Sequence, residues 1–198
     1  LASHPRIDPA RVAVMGFSRG GTAVLRSAAL RISQGAAPDG LRFAAFVAAY
    51  SGGCAGALSV APLPGVFGTA PMLFLHGDAD DYTYLSDCRL YAQRLVAAGT
   101  PAELVVLPGA RHKFDVDDPR RIELRWVSKT REGCPLELDL LQMAVRDRRS
   151  GATVPQAQVA ALVRELCSEK GASIEGDRKS RDRAAQAVLA FLKKVFAP

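Results

Sequence analysis

The sequence has no CxxC pair, and no histidine stands at metal-ligand spacing from any of its cysteines, so zinc is argued against. No apolar run is long enough to cross a bilayer; the longest are broken by glycine, proline or charge. No phosphate-binding glycine loop appears, so no cofactor is implied. Internal repeats and low-complexity tracts are absent too. Histidine is scarce, with three in 198 residues, which makes each one informative. The net charge of +6 is concentrated in Arg146-Asp147-Arg148-Arg149 and Arg178-Lys179-Ser180-Arg181-Asp182-Arg183. Both clusters contain acid and neither interleaves aromatics, which favours solvated surface over a nucleic-acid interface. The four cysteines, Cys54, Cys88, Cys134 and Cys167, are compatible with two disulfides or with free thiols, so export and a cytoplasmic location both stay open. Oligomeric state is unreadable.

Four short strands are predicted: Arg11–Gly16, Phe43–Tyr50, Pro71–His76 and Ala102–Leu107. In the first two, continuous rather than alternating apolar residues predict burial on both faces. Between them lie helical stretches. One covers 19–33, with Ala23, Val24, Ala28 and Ile32 on one face, and is closed by Gly35 and Pro38. Another covers Ser86–Ala98, with Leu90, Leu95 and Val96 as its apolar positions. A last helix, Ser180–Phe196, puts Ala184, Val188, Phe191, Leu192 and Val195 on one face. This alternation predicts an α/β fold, a parallel sheet flanked by helices, as one domain over 1–198. Residues 116–176 read as an irregular insertion. Within it, Ile122, Leu124 and Trp126, and Leu136, Leu138 and Leu140, alternate with polar residues, and Pro155–Cys167 reads as a helix.

The chemistry-bearing residues sit at strand ends. Gly16-Phe17-Ser18-Arg19-Gly20 matches GxSxG between a predicted strand and a helix. A serine hydroxyl needs exposure to a base, and a strained strand-to-helix turn supplies it. Glycines at 16 and 20 are expected to make room for that turn, with Gly21 bringing the helix close to the sheet. The N–H of Arg19 would supply half of an oxyanion hole. A base should follow in the chain. His4 precedes Ser18, and His76, at a strand end, reads as structural, which leaves His112. The acid should follow the third strand, where Asp78, Asp80 and Asp81 all qualify, the unused ones solvating or capping the next helix. Asp115 and Asp117 lie close to His112 in sequence and are weaker candidates.

Three stretches together resemble the dienelactone hydrolase family of α/β-hydrolases: 11–21 around Ser18, 71–81 around Gly77-Asp78-Ala79-Asp80, and 104–114 around His112. The resemblance selects Asp80 as the acid and implies the α/β-hydrolase fold. It also implies a hydrolase acting on ester bonds through the catalytic set Ser18, Asp80 and His112, on a small-molecule ester, with no metal and no nucleic-acid partner. Serine where the best-known lactone-cleaving members carry cysteine points to general ester chemistry. Related exported members imply the pairs Cys54–Cys88 and Cys134–Cys167. The family's first strands and its second oxyanion donor lie well upstream of the nucleophile, yet 17 residues precede Ser18 here. The expectation is a chain cut from a longer one, poorly active and aggregation-prone alone. Two further expectations compete: a prolyl-oligopeptidase-type peptidase, and a non-catalytic binding module that keeps the fold.

Overall fold

A computed structural model describes residues 3–37 and 40–197; Pro38 lies outside the described residues. Four strands, β1 (Ala13–Phe17), β2 (Ala45–Ala49), β3 (Met72–Gly77) and β4 (Ala102–Leu107), form one sheet in the order β1-β2-β3-β4. Every pairing is parallel. Each residue of β2 and β3 is buried, which is why both read as unbroken apolar runs. Alternate side chains serve opposite faces. Phe46, Ala48, Met72 and Phe74 join one cluster, while Val47, Ala49, Leu73 and Leu75 join the other.

The first face is covered by α1 (Arg19–Ser27) and α3 (Leu85–Ala97), through Val24, Leu25, Tyr91 and Leu95. The opposite face is covered by α5 (Arg178–Val195), through Ala184 and Phe191, with Val188, Leu192 and Val195 packed beside them. Withdrawing each large side chain of these clusters from water contributes about 1.5–3 kcal/mol.

Two helices differ from expectation. The stretch 19–33 breaks into α1 and α2 (Leu30–Ala36). Ala29 between them is extended and wholly buried, bridged to Phe67, and the Leu30 N–H bonds the Val66 carbonyl at 2.9 Å. Tertiary pairing outweighs helix propensity there. In α3 the buried seam is Cys88, Tyr91, Ala92 and Leu95, joined by Asp87 in the first turn. Leu90 and Val96 are 37% and 55% exposed, so the predicted face was misplaced.

The segment between His112 and α5 builds a second body of structure. The strand β5 (Ile122–Thr130) pairs antiparallel with β8 (Ser168–Ile174), with a bulge between Leu124 and Ser128. On that bulge Trp126 is 82% exposed. A second pair is β6 (Leu136–Asp139) with β7 (Ala144–Asp147), and α4 (Gln156–Leu166) packs Val159, Leu162, Val163 and Leu166 against Leu136 and Val154. Disulfides join Cys134 to Cys167 within this body and Cys54 to Cys88 beside α3. The Arg94 guanidinium grips both oxygens of buried Glu137, at 2.6 and 2.9 Å. Arg146 faces Glu137 and Asp139 at 3.4 and 3.8 Å, with its side chain only 20% exposed. That residue is therefore a half-buried ion-pair member rather than fully solvated surface, a role its acidic partners on β6 create.

Candidate active site

Every residue singled out for chemistry lies at the carboxyl end of the parallel strands, or in a loop that reaches it. The turn after β1 holds Ser18 at φ 51° and ψ −113°, a strained conformation for a non-glycine residue. Its N–H bonds the Ala49 carbonyl at 2.9 Å, which ties the turn to β2. Close approach explains one motif glycine: a Cβ at Gly16 would lie 2.3 Å from the Gly20 carbonyl oxygen. Gly21 is also crowded, though less so, with Ser51 Cβ at 2.9 Å and the Ala49 carbonyl oxygen at 3.2 Å, so α1 sits close to the sheet as expected. Gly20 does not follow the expectation. Its missing Cβ would meet nothing within 4 Å, because the turn crowds Gly20 through its backbone. Arg19 is the first residue of α1, where the N–H has no partner inside the helix.

The loop after β4 brings His112 to Ser18. His112 Nε2 lies 2.8 Å from Ser18 Oγ, and Nδ1 lies 3.0 Å from Asp80 Oδ2. With its proton on Nδ1, His112 donates to Asp80 and accepts from the serine hydroxyl. The ring is held edge to face against Tyr50 and tilted against Tyr82, each centroid 4.6 Å away. Residues far along the chain hold its backbone: His112 bridges Ile174, and the Glu175 N–H donates to the His112 carbonyl at 3.0 Å.

The aspartates following β3 separate cleanly. Asp80 is buried, with Oδ1 accepting from the N–H groups of Tyr82 and Thr83 at 2.8 and 3.0 Å. Its Oδ2 accepts from the Thr83 hydroxyl as well as His112, both at 3.0 Å. Burial pushes the Asp80 carboxyl up, but the hydrogen bond and charge of His112, helped by His76 and Thr83, outweigh it. The carboxyl ends below its ordinary range, as an anion able to orient an imidazole. Asp78 instead accepts from the Gly109 N–H at 2.7 Å, and Asp81 accepts from the N–H and hydroxyl of Ser173 on β8. Neither caps α3, which has no side-chain cap. Asp115 accepts from the Tyr50 hydroxyl, and Asp117 faces Arg181 at 3.5 Å, so neither meets His112.

His76 is wholly buried, and its Nε2–H donates to the Thr83 carbonyl at 2.8 Å. Burial lowers its pKa against the pull of Asp80, so the ring stays neutral and supports the loop that presents Asp80.

Beside Ser18 opens a cleft of about 170 Å³ whose walls include Thr22, Ser51, Tyr82 and Tyr84. Ser128, Lys129 and Thr130 of β5 complete it. Lys129 donates to Tyr84 Oη at 2.7 Å and to the Asp81 carbonyl, and faces Glu169 at 3.1 Å. Asp87, at the cleft floor, is raised to about 6 by burial against the help of the Gly133 N–H. Sequence reasoning missed Tyr50, Tyr82, Thr83 and the β5 wall. Tyr50 and Thr83 were signalled by their place just past β2 and β3, where parallel sheets build sites; the β5 wall had no such signal. Among the described residues, no cluster of side chains is arranged to hold a metal.

The model of the dienelactone hydrolase family matches residues 1–133. Similar solved structures include esterase PE8, 23% identical with a TM-score of 0.39, over 55% of this chain and 45% of that one. Est2 of Thermogutta terrifontis, a thermophilic esterase solved with propionate bound, is 20% identical with a TM-score of 0.43, over 55% of this chain and 48% of that one. SOBER1 of Arabidopsis thaliana is 19% identical with a TM-score of 0.40, over 55% of this chain and 48% of that one. The chain spans about half the length of these structures. No curated protein matches it.

Proposed function

Since the chain belongs to the dienelactone hydrolase family, we propose that it is a serine hydrolase that cleaves carboxylic esters through an acyl-serine intermediate. The observation that carries this reading is the pair of contacts at His112, 2.8 Å to Ser18 Oγ and 3.0 Å to Asp80 Oδ2.

Ser18 Oγ attacks the ester carbonyl carbon as its proton passes to His112 Nε2. Asp80 holds the ring in the required tautomer and stabilises the imidazolium. The Arg19 N–H, at the positive end of α1, faces the oxyanion that forms. The carbonyl–alkoxy bond then breaks, and the imidazolium gives its proton to the departing alcohol. In the second half, water adds to the acyl carbon and gives a proton to His112 Nε2. Cleavage of the acyl–Oγ bond returns that proton to Ser18 and releases the carboxylic acid.

Turnover of 4-nitrophenyl acetate by the wild type and by Ser18→Ala tests the proposal. The expected loss is about a thousandfold or more. A loss under tenfold contradicts it.

A further inference from the structure

The cleft beside Ser18 has an unusual lining. Fourteen residues surround it, eight carry a hydroxyl group, and Arg19, Asp87 and Lys129 carry charge. No leucine, isoleucine, valine, phenylalanine or methionine is among them. Small-molecule pockets are ordinarily apolar with a few polar groups, so this one is unusually rich in hydroxyls. An aliphatic alcohol lying along the hydroxyl-bearing walls would gain less than one able to bond them. It would also strip water from groups it cannot bond.

Several of these hydroxyls are already engaged inside the protein: Thr83 with Asp80, and Tyr84 with Lys129 and Glu169. Three are not. The hydroxyls of Tyr82, Ser128 and Thr130 bond no protein group among the described residues, and all three line the cleft. Their backbone positions are held. Tyr82 is packed against the His112 ring at 4.6 Å. Ser128 and Thr130 flank Lys129, whose side chain is 7% exposed and clamped between Glu169 and Tyr84. Preorganised hydroxyls with free donors and acceptors, fixed beside a nucleophile, are suited to reading the hydroxyls of a substrate.

We infer that the cleft selects the short-acyl ester of a polyhydroxylated alcohol, a sugar acetate in its simplest form, with Tyr82, Ser128 and Thr130 bonding the alcohol's hydroxyls. This rests on the esterase reading and narrows it to a substrate class. The β5 segment is then a specificity wall carried on the second body of structure.

The test compares 6-O-acetylglucose with hexyl acetate, two acetates of primary alcohols that differ in hydroxylation of the alcohol. The wild type is expected to favour the sugar ester at least tenfold in kcat/KM, since each hydroxyl contact is worth roughly fivefold. The double substitution Ser128→Ala with Thr130→Val should cut that ratio at least fivefold, mainly through KM for the sugar ester. Equal or reversed preference in the wild type overturns the inference, while turnover of 4-nitrophenyl acetate leaves the esterase reading standing. Calorimetry of the Ser18→Ala variant with 6-O-acetylglucose supplies a readout without turnover. Saturable binding that weakens on adding the double substitution supports the inference, and no binding overturns it even where no ester is hydrolysed.

Discussion

The parallel sheet and the body formed by residues 122–174 hold their shape in different ways. The sheet is built mostly from one stretch of chain, with α1 and α3 packed on one face, α5 returning from the far end to cover the other, and Ser18 and Asp80 standing in turns after β1 and β3. The second body has short two-stranded ladders, a disulfide between Cys134 and Cys167, and buried ion pairs centred on Glu137. Its apolar cluster is small, and covalent and ionic links supplement it. Yet it reaches back to the site: Ile174 bridges His112, Ser173 bonds Asp81, Lys129 bonds Tyr84, and the Gly133 N–H bonds Asp87. On the proposed reading, one region carries the reacting groups, and the other fixes and walls them.

Substitutions should therefore separate the two regions by what they change. The largest effect is expected on the sheet side. His112→Ala should lower kcat for 4-nitrophenyl acetate by about a thousandfold or more with the melting transition nearly unchanged. Retained turnover would place the base elsewhere. In the second body the effect should be on stability. Replacing both Cys134 and Cys167 with alanine opens a link spanning 33 residues and should cost about 3–4 kcal/mol in chemical denaturation, with kcat of the folded fraction preserved. A large fall in kcat without loss of stability would mean the division between the regions is wrong.

The smallest effect is expected where the regions meet, at Asp87, whose carboxylate accepts from the Gly133 N–H at 3.1 Å. Its pKa rises from 3.8 to about 6 on folding, so the folded state holds the proton more tightly than the unfolded one. That contribution to stability is complete below pH 3.8 and is lost as pH rises through about 6. Asp87→Asn should therefore be more stable than the wild type above pH 6, by about 1 kcal/mol, and the gain should vanish near pH 4. Urea melts at the two pH values check the sign; a gain that grows on acidification would contradict it.

The two regions also differ in how much the sequence discloses. The inner strands β2 and β3 were legible because burial on both faces leaves an unbroken apolar run, as in Ala45–Ala49, whereas β1 and β4 stand at the sheet edges, are partly exposed, and were legible from their short, mainly apolar stretches. Ser18 and His112 were legible because GxSxG needs strand-then-helix context and because histidine is so scarce. The resemblance to a family, rather than spacing, selected Asp80 from three aspartates; only the backbone fold turns Asp78 and Asp81 toward Gly109 and Ser173. The helix break at Ala29 and the buried seam of α3 depend on partners distant in sequence, such as Val66 and the sheet face. For the same reason the ion pairing of half-buried Arg146 could not be recognised: its partners Glu137 and Asp139 stand on a neighbouring strand. The β5 wall was hidden most completely, because Ser128 and Thr130 gain meaning from a bulged ladder that sets them beside Ser18.

A fluorophosphonate reports most directly on whether Ser18 is an activated nucleophile, since it bonds only to a hydroxyl whose proton a neighbouring base removes. Peptide mass analysis after brief exposure should find one adduct, on Ser18, and far less of it in the His112→Ala variant. An unmodified Ser18, or equal labelling with and without the imidazole, would contradict the account.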